Sequence, residues 1–219
     1  MSEPFPKLTA AHLAALLCAR ICHDLISPVG ALSAALEVFD DDDNLDMRDD
    51  AMELIKLSAA QASAKLQFLR LAFGAGGSAS GVIASSELER LAIGVYGQGR
   101  VQLDWKLDRD GLDKTASRVL LNLIMMAHMS IPRGGKMFVK STHSPQQVDI
   151  KITCEGLKAR LDGEVTKTLS GGAPEDGFDG RSIQPFYTGM IARENGGSVF
   201  STIEGEIVTF SASFPLNDS

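Results

Sequence analysis

The chain has 219 residues, a formal net charge of -7, three cysteines, and hydrophobic residues at 44% of its positions. That length accommodates one large domain or two small ones, and an acidic balance without a basic cluster argues against nucleic acid as a direct partner. No uninterrupted apolar run approaches the roughly 18 to 20 residues of a membrane span. The first residues lack the basic-then-apolar pattern of a secretion signal, and an odd, sparse set of cysteines suits a reducing compartment. The expectation is a cytoplasmic protein with no disulfide framework and no membrane partner.

The first predicted element is a long helix containing ICHDLISPVG, residues Ile21 to Gly30. Ala14, Cys18, Ile21, Leu25, Pro28, Leu32, Ala35 and Phe39 follow at alternating spacings of four and three, the inward seam of a helix in a bundle. Counted against that seam, His23 falls on the opposite, water-facing ridge. Residues three and four away share its face, here Ala19, Arg20, Ile26 and Ser27, with Gly30 further along. Small residues around an exposed imidazole let another protein approach closely. Arg20 is placed to offset phosphoryl charge, Ser27 to support it, and Asp24 to hold Nδ1 so that Nε2 is the free nucleophile. A metal site built from Cys18, Cys22 and His23 is disfavoured, because Cys18 points inward and no fourth ligand is near.

A second helix is predicted over about Asp46 to Phe73, with Met52, Ile55, Ala59, Ala62, Leu66, Leu69 and Phe73 as its seam. The acidic turn Asp40 to Asp46 is expected to cap and complement its N-terminus. Two such helices make an antiparallel hairpin over residues 1–77. One hairpin buries little alone, so a homodimer closing a four-helix bundle is expected.

The stretch GAGGSASG, Gly74 to Gly81, lacks the preceding strand and the Lys-Ser/Thr ending of a phosphate-cradling loop and is predicted to be a linker. From 82 to 219 the pattern turns mixed. Helices are predicted at Ser86 to Tyr96, Asp113 to Met129 and Ser182 to Asn195. Strands are predicted at Val101 to Leu107, Lys136 to Thr142, Gln147 to Cys154 and in a closing hairpin over Ser198 to Phe214. An irregular loop is expected up to Gly180. The fold class is therefore α+β: a helical hairpin followed by an α/β sandwich with helices on one face of one sheet.

Taken together, the chain resembles the core of a histidine kinase. HDLISP is similar to the phosphoacceptor box of the dimerisation and phosphotransfer domain. LLNLIMMAHMSIPRGG, Leu120 to Gly135, is similar to the helix that leads into the Gly-Gly turn of the ATP-binding domain. The stretch ending IPRGG and the segment SIQPFYT, Ser182 to Thr188, resemble more specifically the histidine phosphotransferases of alphaproteobacterial cell-cycle signalling.

The departures from the kinase pattern lie at the nucleotide contacts. Asn122 is retained, but the second, magnesium-holding asparagine is Met126, a thioether unsuited to a hard cation. The adenine-binding carboxylate is replaced by Cys154, and only Gly156 survives of that box. The last glycine-rich box reads Ser182-Ile183-Gln184-Pro185-Phe186, where proline removes an amide donor. No ATP binding, no cofactor and no metal of its own are expected, and the sandwich is expected to be a degenerate ATP-binding domain. The resemblance implies a relay. His23 takes a phosphoryl group from the receiver domain of a hybrid histidine kinase (CckA-like) and passes it to response regulators (CtrA- and CpdR-like), magnesium being supplied by the receiver. The alternatives are an ATP-dependent histidine kinase with a divergent nucleotide site and a non-catalytic dimeric adaptor.

Overall fold

The structure is a computed structural model that describes residues 8–74, 81–97 and 99–216. Helix α1 spans Ala10–Asp40 and begins at Thr9, whose hydroxyl accepts the His12 amide. A 3-10 turn, Asp42–Met47, leads into α2, Arg48–Ala72. The two helices form the expected hairpin; the residue before α2 is Met47, which makes no side-chain cap, and Asp49 and Asp50 supply negative charge within the first turn.

The α1 seam lies as predicted from Ile21 onward, with Pro28 and Ala35 buried and Ile21 and Leu25 packed on the core. Further back, Ala14 and Cys18 are exposed, while Leu17 and Arg20 face inward. The turn around Gly180 lies against Ala19 and Arg20 at this end of α1, so contact with the second domain and not the hairpin seam alone decides which face is covered. On α2 the inward positions include Ser58 and Lys65, and the predicted Ala59 and Leu66 are exposed. Contrary to expectation, α1 is long and apolar enough by length and composition to cross a membrane. Arg20, His23 and Asp24 interrupt the apolar sequence, yet the helix keeps a mean hydropathy of 1.4.

The second part opens with β1, Val82–Ala84, and α3, Ser85–Tyr96, then β2, Val101–Lys106, and β3, Gly111–Asp113. Next come α4, Lys114–Ser130, β4, Gly135–His143, and β5, Gln147–Glu155. The chain closes with α5, Gly163–Leu169, α6, Ile183–Glu194, β6, Ser198–Glu204, and β7, Ile207–Pro215. Strands β2-β4-β5-β7-β6 form one sheet, parallel only between β2 and β4, and β1 pairs with β3 in a small separate ladder. The strand pair β1–β3 and helix α5, capped by Asp162, were not predicted; α5 lies inside the segment expected to be irregular. Most of the predicted linker falls outside the described residues.

Alternation along β4, β5 and β7 puts Met137, Val139, Ile150, Ile152, Val208 and Phe210 on one face, beneath α4. Helix α4 is buried almost all round, since its other side receives the end of α2. Phe68, Leu69, Leu71 and Ala72 belong to the same apolar core as the sandwich. The fold class is as expected, a hairpin followed by an α/β sandwich. The hairpin is also fixed to the sandwich by a shared interior.

Candidate functional site

His23 stands on α1 with its side chain 61% exposed. Its Nδ1 lies 3.2 Å from Asp24 Oδ1. A carboxylate only accepts hydrogen bonds, so the neutral ring carries its proton on Nδ1 and leaves the Nε2 lone pair free. The other carboxylate oxygen of Asp24 accepts from Arg20 Nε at 3.1 Å. Arg20 is therefore not the open, phosphate-facing arginine expected on the His23 ridge. Its side chain is 7% exposed and is turned inward, because one helical turn toward the N-terminus brings it under the sandwich. Ser27 and Gly30 are exposed beyond His23, and a side chain at Gly30 would meet nothing within 4 Å. The surface around the imidazole is as bare as the sequence suggested.

Pro28 adds a feature of the backbone. Proline has no N–H and cannot bond the carbonyl four residues earlier, which here belongs to Asp24. That carbonyl accepts instead from Lys65 Nζ of α2, at 3.0 Å. Buried carbonyls are rarely left unpaired, and here a long side chain from the neighbouring helix supplies the missing donor.

Arg20, His23, Asp24 and Lys65 line a half-open crevice of about 440 Å³ between hairpin and sandwich. Its floor is Phe68, Leu69, Val95 and Met125, and its far side carries Tyr96, His128 and Arg181. Desolvation, reinforced by the Asp24 charge, pushes the Tyr96 phenol far up, while burial and then the Lys65 charge push His128 down. Their ring centroids lie 4.7 Å apart, with the planes tilted by 39°. Lys65, Tyr96, His128 and Arg181 come from α2, α3, α4 and the segment before α6. No sequence spacing links them to His23. Met125 and Met126 are core, as the apolar helix implied, and Met129 is exposed on the crevice rim.

A second crevice, of about 600 Å³, lies where the resemblance places a nucleotide. Asn122 is fully buried, and its amide nitrogen donates to the carbonyls of Ala72 and Arg118. It clamps the end of α2. Met126 lines the crevice with its thioether chain. Cys154 points into the core from β5, its thiol pushed up to about 12 by burial. At the start of α6 the anion position is already filled: Asp179 Oδ1 accepts from the amides of Arg181 and Ser182 at 2.9 and 2.7 Å and from the Ser182 hydroxyl at 2.8 Å. Those bonds outweigh desolvation and hold Asp179 below the usual carboxylate range. Asp162, Glu164, Glu175 and Asp176 add further negative lining. Arg160 and Arg181 line the same crevice, and the side chains at the positions compared above are a thioether, a buried thiol and a carboxylate-capped turn.

Among the described residues no group of three or more His, Cys, Asp and Glu side chains is arranged to hold a metal. Cys18, Cys22 and Cys154 are free thiols. His143 is bound to Asp108 and stands apart from either crevice.

The histidine phosphotransferase C-terminal domain family matches residues 85–207. The protein phosphotransferase ChpT of Brucella abortus (strain 2308) is 39% identical over 212 residues, 97% of this chain and 100% of that protein. A crystal structure described as a bacterial phosphotransferase superposes with a TM-score of 0.85 at 37% identity, covering 96% of this chain and 100% of the other. With a shared family domain over more than half its length and a relative matched end to end, the chain belongs to the ChpT-type histidine phosphotransferases.

Proposed function

We propose that the protein relays a phosphoryl group through His23. The family places it in phosphotransfer within two-component signalling. The observation that carries the specific reading is the His23–Asp24 contact: an exposed ring whose Nδ1 is held by a carboxylate presents Nε2 to solvent as a nucleophile. The Nε2 lone pair attacks the phosphorus of a receiver's aspartyl phosphate, the N–P bond forms, and the aspartate carboxylate leaves. The imidazolium produced keeps its Nδ1 proton toward Asp24. Transfer to a second receiver reverses these steps. Such reactions depend mainly on positioning and charge neutralisation, and the receiver contributes the magnesium ion.

The donor in this reading is the receiver domain of a CckA-like hybrid histidine kinase, and the acceptors are CtrA- and CpdR-like response regulators in cell-cycle control. ATP has no part. The engagement of Asn122 with α2, the buried thiol at Cys154 and the Asp179 carboxylate at the start of α6 all favour this over an ATP-dependent kinase. The protein acts as a homodimer. Ile26, Val29 and Leu36 on α1 and Leu54 and Leu57 on α2 are all more than 40% exposed, an apolar surface that a second hairpin covers in a four-helix bundle. That pairing also accounts for the high apolar content of α1 without a membrane. Three free cysteines accord with a cytoplasmic location.

The test is reconstitution with a receiver domain phosphorylated by its kinase, with and without ATP. The expected result is label on the wild-type chain from the phosphorylated receiver, none from ATP alone, and none on His23→Ala. Label from ATP alone establishes the kinase alternative. Partner binding without any transfer establishes the adaptor.

A further inference from the structure

We infer that Lys65 and Arg181 are the cations that stabilise the phosphoryl group on His23, and that the sandwich domain contributes to transfer by delivering the second of them. The inference rests on His23 being the phosphoryl acceptor. A phosphoryl group adds roughly 1.5 to 2 negative charges near neutral pH, and Asp24 beside it makes the local balance worse. Arg20, the cation expected from sequence to answer that charge, is buried, and its Nε is already paired with Asp24. The same crevice holds two further cations, Lys65 and Arg181.

Lys65 is placed by backbone chemistry. The carbonyl that Pro28 leaves open belongs to Asp24, the residue next to His23, and it fixes the Lys65 ammonium at 3.0 Å. A carbonyl is an uncharged partner, so the full positive charge remains in the crevice that His23 also lines. An ammonium has three donors, and this bond uses one. Arg181 is placed by the turn that precedes α6. Asp179 Oδ1 accepts the Arg181 amide, and Gly180 lies against the backbone of Ala19 and Arg20, where an added Cβ would sit 3.6 Å from the Arg20 nitrogen. The loop thus rests on α1 one turn from His23. The carboxylate that closes the former anion site at α6 is the same group that orients the arginine-bearing turn.

Phosphoramidate, a small donor that needs no partner protein, tests this with the full-length chain, phosphohistidine being followed by 31P NMR. The wild type is expected to take phosphate at His23 and His23→Ala to take none. Lys65→Gln keeps a hydrogen-bond donor and removes the charge; it and Arg181→Gln are each expected to slow phosphorylation about tenfold, the scale of one charge-assisted contact. Lys65→Arg restores most of the rate. The wild-type rate is expected to fall with added salt, and to fall less in the two glutamine variants. Circular dichroism confirms that each variant is folded. If Lys65→Gln reacts like wild type, Lys65 is only a backbone clamp and the inference fails. If Lys65→Arg is as slow as Lys65→Gln, geometry rather than charge is at work, and it fails equally. A wild type that takes no phosphate at His23 removes the acceptor assignment itself.

Discussion

Asn122 in the middle of α4 donates its side-chain amide to the carbonyl of Ala72 in the last turn of α2, at 2.8 Å. A residue that the resemblance places in the nucleotide-binding helix instead completes the end of a helix in the other half of the molecule. Beside it, Tyr187 donates to the Phe73 carbonyl and its ring packs on Phe73 at 5.7 Å. The end of the hairpin is held by side chains that satisfy carbonyls its own helix leaves open.

Replacing Asn122 with alanine removes both amide bonds and strands the Ala72 carbonyl in a dry interior. Chemical denaturation is expected to show a loss of about 2–4 kcal/mol. Transfer measured on the folded fraction is expected to be unchanged in its indifference to ATP.

Asp24→Asn keeps the size of the side chain but lets its NH2 donate to His23 Nδ1. The ring proton then moves to Nε2, the wrong nitrogen for attack. Phosphorylation of His23 is expected to slow about 10²-fold, as measured by transfer from a labelled receiver. Arg20 also loses its charged partner, so a lower melting temperature accompanies the effect.

Charge placed on the open apolar face separates dimerisation from folding. Leu36→Glu combined with Leu54→Glu alters side chains that are 44% and 45% exposed in the single chain. Light scattering is expected to report half the wild-type mass with unchanged helical content. A variant that retains the wild-type mass argues against the bundle.

Asp108 provides a pH-dependent element away from the site. Desolvation raises its pKa, but bonds from the His143 amide and ring and from the Ser141 hydroxyl, with the His143 charge, outweigh it and bring the carboxyl down to about 2. The folded value lies below the ordinary 3.8. Its contribution to stability is therefore complete above about pH 4 and lost as pH falls through 2. Melting temperatures over that window are expected to decline less steeply in Asp108→Asn than in the wild type.

Cys154→Asp returns a carboxylate to the position that the resemblance assigns to adenine. The side chain is fully buried on β5, so an uncompensated charge or a neutral acid must be accommodated in an apolar core. A loss of at least about 2 kcal/mol is expected, with no ATP uptake by calorimetry, because Met126, Pro185 and Asp179 remain.

The parts legible in the sequence were those with a local signature. The hairpin follows from periodicity, the helices and main strands from apolar patterning, and the His23–Asp24 contact from adjacency. Arg20 is buried where an open side chain was expected, because its i−3 relation to His23 says nothing of which body covers that turn. Ala59 and Leu66 were placed inward on hydrophobicity alone, whereas Ser58 and Lys65 occupy the seam. Helix α5 is a single short segment, Gly163–Leu169, too brief for a period to register. The crevice was invisible for a different reason: Lys65, Tyr96, His128 and Arg181 meet only after four separate elements have packed. One clue was nevertheless available, since a proline inside a helix always leaves a carbonyl in search of a donor.

That clue has a mechanical side. The ladder of α1 lacks one rung directly below the imidazole, and the strut that replaces it belongs to a different helix. The stretch of α1 that carries the reactive ring is thus tied to α2 as well as to its own helix, through the backbone of the residue next to His23.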